Sequence, residues 1–273
     1  MVNVQTMRAP AMPQRSLPVN RIDLADLGAA LGKGIDDFRA RPSHYAFLAL
    51  IYPIVGIALG LWTSGASAWP MLYPLMAGFA LVGPLAALGF YEISRRREQG
   101  LDSSWPHAFE VFRSPSMPGI AAIALLLVAL FLAWILTAQA LYTQMMGLVG
   151  FGSIDEFLAS ILTTQAGWSL IVVGNLLGFM FAVIAFCVSV VSLPLLLDRE
   201  VSVGVAINTS VRAVRTNVRV MAIWGLIVAG LLFAGSLPLF VGLAVVVPVL
   251  GHSTWHLYRR LVNPTGADAG PAS

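Results

Sequence analysis

The run VMAIWGLIVAGLLFAGSLPLFVGLAVVVPVLGHSTWHLY, residues 220–258, contains no Asp, Glu, Lys or Arg and has an arginine on either side. An apolar helix needs about 20 residues to cross a bilayer, so this run is long enough for two crossings. The sequence Gly-Ser-Leu-Pro at 235–238 favours a turn near its middle. The run therefore predicts two membrane-spanning helices, 219–235 and 237–258, whose outer ends emerge on the same side.

The composition is that of a polytopic membrane protein. Apolar residues make up 58% of the 273 residues and charged residues only 11%, against roughly 25% charged residues in a soluble domain. The single cysteine, Cys187, lies in an apolar run, which excludes a disulfide within this chain and a cysteine metal cluster. The net charge is +3. In a membrane protein an excess of Lys and Arg more often sets the orientation in the membrane than binds nucleic acid.

Further apolar runs complete a predicted all-α helical bundle. We expect a membrane domain at 24–262, in which the fourth span is longer than a bilayer requires and should tilt. The polar segments 1–20 and 263–273 predict disordered tails. The six predicted transmembrane helices are 45–62, 70–91, 119–141, 168–197, 219–235 and 237–258.

An amphipathic pattern precedes the first span. Between residues 24 and 38, apolar side chains recur every three or four residues, and acidic residues including Asp37 occupy the other side. This spacing predicts a helix that lies on the membrane surface, with Asp37 in solvent.

Three other segments predict surface helices. Residues 105–112 and 203–214 place apolar side chains on one face, and Ser104 precedes the first as a candidate cap. The sequence Ser-Ile-Asp-Glu at 153–156 is typical of a capping box, which predicts a helix on the opposite membrane face.

The positive charges predict the topology. All 16 Lys and Arg lie at the two ends of the chain or in the loops after spans two and four, and the other three loops contain none. Cytoplasmic loops carry the excess of Lys and Arg. We therefore expect a multi-pass protein with both termini in the cytoplasm, and no nucleic-acid partner.

A short pattern recurs before spans one, three and five. It consists of an apolar residue, two further residues, an apolar residue, an arginine and then a helix breaker, and the arginines are Arg39, Arg113 and Arg215. It predicts three units of surface helix plus two-span hairpin, with each arginine at the lipid phosphates where a surface helix becomes a span. The alternative is that any interfacial helix that leads into a span shows this pattern.

Several segments are similar to a known family. GPL at 83–85, GFYEISRR at 89–96, LPLLLDR at 193–199 and PVLGHSTWHLYR at 248–259 resemble a bacterial family of uncharacterised six-span integral membrane proteins, and the likeness covers about 24–262. The resemblance implies a bacterial inner-membrane location and no activity. Some relatives carry a cytochrome c oxidase subunit I label. Such subunits resemble twelve-span proteins with six haem and copper histidines, whereas this chain has 4 histidines.

Two histidines are the candidate ligands. His252 and His256 are four residues apart, a spacing that can bind a metal or a haem. They stand beside Trp255 and Tyr258 at the predicted end of span six, where aromatic residues usually anchor a helix. No third ligand is evident from the sequence. We expect an anchoring role and no cofactor, with metal and haem as alternatives.

Small and polar residues inside the spans predict packing sites. Gly56 with Gly60 and Gly174 with Gly178 have the spacing that lets helices approach closely, and Asn175 can donate a hydrogen bond to a neighbouring helix.

No motif of a hydrolase, zinc protease or phosphate-binding enzyme occurs, so we expect no catalysis. The sequence favours a membrane component that organises lipid, a membrane-protein partner or a second copy of itself through its cytoplasmic helices. The alternative is a carrier for a small neutral or hydrophobic solute, which would need a water-accessible cavity near Asn175.

Overall fold

The computed structural model describes residues 16–40, 54–56, 58–59, 61–62, 69–147 and 150–262. Every regular element in these ranges is a helix, which confirms the all-α class, and the described residues contain no β-strand. A 3₁₀ helix occupies Trp105–Arg113. The α-helices are α1 Leu24–Ala40, α2 Trp69–Ala86, α3 Leu88–Glu98, α4 Met117–Met146, α5 Ile154–Thr163, α6 Gln165–Ser189, α7 Ser192–Asp198, α8 Val203–Thr216, α9 Val218–Ser236 and α10 Leu243–Leu261.

Four of the described segments are long and apolar enough to cross a membrane: Trp69–Glu98, Met117–Met146, Gln165–Asp198 and Val218–Ser236. They match predicted spans two to five and extend past the predicted bounds. Predicted span one, 45–62, lies mostly outside the described residues, and those described within it are helical. The six-span count and the three repeated units therefore stay predictions.

The predicted bounds of span six are wrong. The turn after α9 occupies 237–242 rather than 235–238, and Leu239 and Phe240 take positive φ values of 49° and 64° there. Helix α10 begins only at Leu243. It is not among the segments apolar enough to span, because its second half, from Gly251, carries polar side chains that are buried in the protein.

Spans two and four are each interrupted near a proline. Helix α2 contains Pro84, and the chain turns at Ala87 before α3. Helix α6 ends at Ser189, and Pro194 lies in the first turn of α7, where a missing N–H is tolerated. The backbone N–H of Val191 in this second break donates to Ser210 Oγ of α8 at 3.1 Å. The break is thus tied to the following helix.

Two helices begin at a serine cap, of which only Ser153 was predicted. Ser153 accepts a hydrogen bond from the Glu156 N–H at 3.3 Å and begins α5, and Ser202 accepts one from the Val205 N–H and begins α8. Ser104 is different, because its hydroxyl donates to Asp102 and it forms no side-chain cap. The element that follows Ser104 is a 3₁₀ helix, whereas the predicted surface helices at 24–38 and 203–214 are α-helices.

Helix α1, which was predicted to lie on the membrane surface, packs against α10. Asp23 and Asp26 cap its first turn through reciprocal 3.0 Å hydrogen bonds between side chain and backbone N–H. Its buried residues are Leu27, Ala30, Gly34 and Asp37. The expected solvent position of Asp37 is therefore wrong. The small residues Ala30 and Gly34 let the two helices meet backbone to backbone.

Part of the expected N-terminal tail is held in place. The Leu17 N–H donates to Thr209 Oγ1 at 2.9 Å, and the Asn20 N–H donates to the Leu261 carbonyl at 2.9 Å. Asn217 accepts from the Ile22 N–H and donates to the Asn20 carbonyl, each at 2.9 Å. Disorder up to residue 20 is therefore wrong for 16–20, and residues 1–15 and the predicted tail 263–273 lie outside the described residues.

The buried core lies mainly at one end of the bundle. Large side chains from α7, α9 and α10, including Leu195, Trp224 and Trp255, are fully buried there. Along α4, by contrast, Leu125 and Leu136 are 71% and 70% exposed. Exposed apolar side chains along a 30-residue helix fit a lipid environment. At the end of the bundle where the core lies, buried side chains position the polar residues around Asp37.

Candidate functional site: a buried polar network and an adjoining cavity

Three helices meet around the carboxylate of Asp37. Helix α1 brings Asp37 against α10 because Gly34, one turn earlier, has no side chain, and a Cβ there would clash with Ser253 Oγ. Helix α3 contributes Ser94 and Arg97 from its polar end, and α10 contributes His252 and His256 from its last turns.

The Asp37 carboxylate accepts hydrogen bonds from Ser94 and His256 and forms an ion pair with Arg97. Its Oδ2 accepts from Ser94 Oγ at 2.6 Å and from His256 Nε2 at 2.8 Å, and its Oδ1 pairs with Arg97 Nη1 at 3.0 Å. His252 Nδ1 lies 2.8 Å from Ser94 Oγ and 3.9 Å from Asp37 Oδ2. The network therefore joins α1, α3 and α10.

The donor and acceptor roles in this network follow from its chemistry. An ionised carboxylate only accepts hydrogen bonds, so His256 carries a proton on Nε2 and the Ser94 hydroxyl gives its one proton to Asp37. Ser94 Oγ can then only accept from His252, and a proton on His252 Nδ1 would complete this chain of hydrogen bonds.

The Ser, His and Asp side chains do not form a catalytic triad. In a triad the histidine lies between serine and aspartate and takes the serine proton. Here Ser94 lies between Asp37 and His252, and both Ser94 and His252 are 0% exposed. The arrangement holds helices together and gives no substrate access to the hydroxyl.

The pKa of Asp37 is below its ordinary value. Burial alone would raise it, but the hydrogen bonds from His256 and Ser94, with the charges of the two histidines, outweigh burial and lower the pKa. Asp37 thus stays ionised and can hold its donors.

A second network joins α10 to α3 and α7. Tyr258 donates to Asp198 at 2.6 Å, and Arg259 pairs with the same carboxylate at 3.2 Å. Arg259 also pairs with Glu98 at 3.1 Å, and the Trp255 indole N–H donates to Glu98 at 3.2 Å. The predicted anchoring aromatics of α10 therefore contact protein carboxylates.

A third network joins α3 to the 3₁₀ helix. Glu92, only 1% exposed, accepts two 2.8 Å hydrogen bonds from Arg95. Glu110 accepts from Arg96 at 2.5 Å and from His107 at 2.6 Å. The hydrogen bond to Glu110 is the main cause that raises the pKa of His107, while partial desolvation opposes it.

The two candidate ligands occupy the first network. His252 is fully buried against Ser94, and His256 contacts Asp37, which the sequence did not place near them. No group of three or more His, Cys, Asp or Glu within the described part of the chain has the geometry to hold a metal ion. His44 lies outside that part, and His107 belongs to the third network.

The three junction arginines differ from the other arginines of the site. Arg39, Arg113 and Arg215 are exposed, and none forms an ion pair or a hydrogen bond with a described residue. Arg113 follows three exposed aromatic side chains on the 3₁₀ helix, Trp105 (47%), Phe109 (56%) and Phe112 (67%). The rings contact each other with centroids 5.8 and 6.5 Å apart.

A cavity of about 360 Å³ lies between α3, the 3₁₀ helix, the start of α4 and the end of α7. Arg95, Arg113 and Arg199 line it together with four carboxylates. A second cavity of about 360 Å³ shares Pro115, Ser116 and Glu200 with the first. Its other lining residues include Pro118, Val201 and Val203. A polar space thus adjoins a more apolar one.

Three of the predicted packing residues, Gly174, Gly178 and Asn175, contact neighbouring helices. Gly174 lies near Leu141, and Gly178 lies against the Trp134 ring, where a Cβ would approach to 3.1 Å. Asn175 accepts a 2.7 Å hydrogen bond from Tyr73 of α2 and donates to the Ile171 carbonyl in its own helix. Gly56 lies against the Phe240 ring, and Gly60 is outside the described residues.

Sequence reasoning missed Asp37 and Ser94 as buried polar residues. A usable signal was present for Glu92, which lies three residues before Arg95 on one helical face. Asp37 gave no such signal, because its partners are some 57 to 219 positions away in the chain.

The comparisons with known proteins concern only part of the chain. Residues 71–198, just under half of it, match a family model described as a predicted integral membrane protein, DUF2189. No curated protein matches, and no solved structure matches. The match runs from α2 to α7, and it includes the second, third and fourth predicted spans and most of the cavity. Together with the four apolar helices, it shows that the chain is an integral membrane protein similar to a family of unknown function.

Proposed function

We propose that this protein is a non-catalytic component of the bacterial inner membrane that organises lipid at the cytoplasmic end of its helical bundle. The observation that carries the proposal is the 3₁₀ helix, whose three aromatic side chains are exposed next to the unpaired Arg113. Aromatic rings prefer the membrane interface, and a nearby guanidinium attracts lipid phosphates. A basic residue near an anionic surface contributes about 1 kcal/mol.

The ion-paired networks support a rigid platform for this contact. Arg95 is held by Glu92 within α3. Arg96 and Arg97 pair with Glu110 and Asp37, so they fix α3 to the 3₁₀ helix and to α1. The junction arginines are left available to lipid. A carrier finds less support, because Asn175 is hydrogen-bonded to Tyr73 and to its own helix.

The proposal also includes the topology. The 16 Lys and Arg occur only in segments that six spans would place on one side. Reporter fusions after Ser67, Gly152 and Ser236 are expected to report the outside, and fusions after Gly100, Val203 and Pro264 the cytoplasm. A cytoplasmic report at Gly152 would contradict the six-span topology.

Hydrogen exchange in nanodiscs tests the lipid contact. In the wild type, the amides of Trp105–Arg113 and Val203–Thr216 should exchange about fivefold more slowly when phosphatidylglycerol is added to phosphatidylcholine, because each basic residue contributes about 1 kcal/mol at an anionic surface. Replacement of Arg39, Arg113 and Arg215 together with Gln should abolish this difference.

The control removes the same charge elsewhere. Arg21, Lys33 and Arg219 are exposed and have no ion pair to a described residue, so their replacement with Gln should preserve the lipid-dependent protection. Arg95, Arg96 and Arg97 are unsuitable as controls, since their loss would break the networks. Equal loss of protection in both triple variants would refute the special role of the junction arginines.

A further inference from the structure

We infer that the cavity beside Arg113 binds a phosphoethanolamine headgroup, with the phosphate at Arg113 and the primary ammonium at Glu200. This inference rests on the proposed lipid contact and names the ligand of one site within it. The charges that line the cavity identify the ligand, because the protein itself neutralises some of them and leaves others available.

Most of the lining charges have partners. Glu92 is paired with Arg95 through both oxygens at 2.8 Å, and Glu110 is paired with Arg96 at 2.5 Å. Asp198 accepts from Tyr258 and pairs with Arg259, and Arg199 lies 3.6 Å from it. These groups can shape the cavity, but a ligand would have to break an ion pair to use them.

Two lining charges of opposite sign remain available. Arg113 and Glu200 are both exposed, and neither forms a hydrogen bond or an ion pair with a described residue. A ligand that satisfies both must carry one anionic and one cationic group. A purely anionic headgroup would leave Glu200 unpaired, and the like charge would oppose its binding.

The lining also selects the type of cation. A quaternary ammonium such as choline is usually bound by aromatic faces, and no aromatic residue lines this cavity. A primary ammonium has three N–H donors, which suit the Glu200 carboxylate and the hydroxyls of Ser114 and Ser116. The chemistry therefore favours ethanolamine over choline.

The position of the cavity suits a membrane lipid. Arg113 directly follows exposed Phe112, which places it at the level of an aromatic belt. The adjoining cavity shares Glu200 and adds Pro118, Val201 and Val203, an apolar lining for the glycerol end of a lipid. A volume of about 360 Å³ is within the usual range for small-ligand sites.

Native mass spectrometry of the full chain tests the site. The detergent-purified protein is incubated with equal amounts of phosphatidylethanolamine, phosphatidylcholine and phosphatidylglycerol. The wild type should retain phosphatidylethanolamine in preference to the other two. Arg113→Gln and Glu200→Gln should each reduce that retention about fivefold, the effect of losing one charged contact at a membrane surface.

Matched controls separate this site from general charge effects. Arg215→Gln removes a junction arginine that does not line the cavity, and Asp155→Asn removes an exposed carboxylate on α5, so both should keep the preference. The inference would be overturned if the three lipids were retained equally, or if neither cavity variant changed the retention of phosphatidylethanolamine. A preference for phosphatidylglycerol that depends on Arg113 alone would overturn it as well, because that pattern describes an anion site.

A parallel incubation with water-soluble glycerophosphoethanolamine identifies the source of the headgroup. If this compound is retained with the same dependence on Arg113 and Glu200, the site binds a soluble ligand. If only the lipid is retained, the site binds a membrane lipid. Loss of the headgroup preference while the nanodisc protection persists would reject this inference and leave the proposed function in place.

Discussion

Replacement of Asp37 with Ala is expected to weaken the docking of α1 on α10 by about 3 kcal/mol, the lower end of the cost of removing one partner from a buried ion pair. The lower end applies because Arg97 is 41% exposed and can turn to solvent, whereas Ser94 and His256 lose a buried acceptor. Amides of Leu24–Ala40 should then exchange about 100-fold faster.

Asp36→Ala is the matched control. It removes the same charge one residue earlier in α1, but the Asp36 side chain is exposed, and only its backbone carbonyl accepts from Arg97. Exchange in this variant should remain close to that of the wild type. Similar exchange rates in the Asp36 and Asp37 variants would show that charge in α1, rather than the buried network, sets its stability.

The lowered pKa of Asp37 adds a pH dependence with a definite sign. A carboxylate whose folded pKa lies below its unfolded value stabilises the fold above that value, and the contribution is lost as the pH falls through the folded pKa. The ordinary value is 3.8. The difference in melting temperature between wild type and Asp37→Ala should therefore shrink as the pH falls below 3.8.

Gly34→Ala is expected to destabilise the same helix contact by about 1–3 kcal/mol, the usual cost of overpacking. The added Cβ would clash with Ser253 Oγ, and it would also lie 2.6 Å from the Ser253 backbone N and 2.8 Å from its Cα. Rotation of the serine side chain relieves only the first contact, so the two helix backbones must separate. Thermal unfolding in detergent should show a lower melting temperature.

The same substitution elsewhere in α1 should have the opposite effect. A Cβ added at Gly28 or Gly32 would meet no atom within 4 Å. Alanine at either site should stabilise the helix by roughly 0.5–1 kcal/mol, because glycine loses more backbone entropy on folding. A lower melting temperature for Gly32→Ala than for Gly34→Ala would contradict the close contact at Ser253.

Much of the fold could be predicted from local pattern. The length of the apolar runs predicted spans two to five, and the capping box at 153–156 predicted the start of α5, because these signals depend on neighbours in sequence. The start of span six was wrong because the turn signal at 235–238 does not show that the turn continues to residue 242, through Leu239 and Phe240 with positive φ.

The candidate site was predicted less well, since it depends on distant contacts. The spacing of His252 and His256 correctly placed both on one face of α10, but their partner Asp37 was expected on the solvent side of α1. The close packing of Gly34 on Ser253 brings that side of α1 against α10. Arg113 was singled out because its position at the end of an amphipathic segment is a local feature, and its lipid contact stays a prediction.

The contact between α1 and α10 has a consequence for biosynthesis. Asp37 emerges from the ribosome long before the histidines that it binds, and at typical elongation rates α10 follows α1 by roughly 10 to 45 seconds. Residues 16–23 cannot bind Asn217 until it has been made, and they cannot bind Leu261 until the end of α10 has been made. The first described helix of the chain is thus among the last to dock, and a nascent chain halted before α10 would present an unpaired α1 to chaperones and proteases.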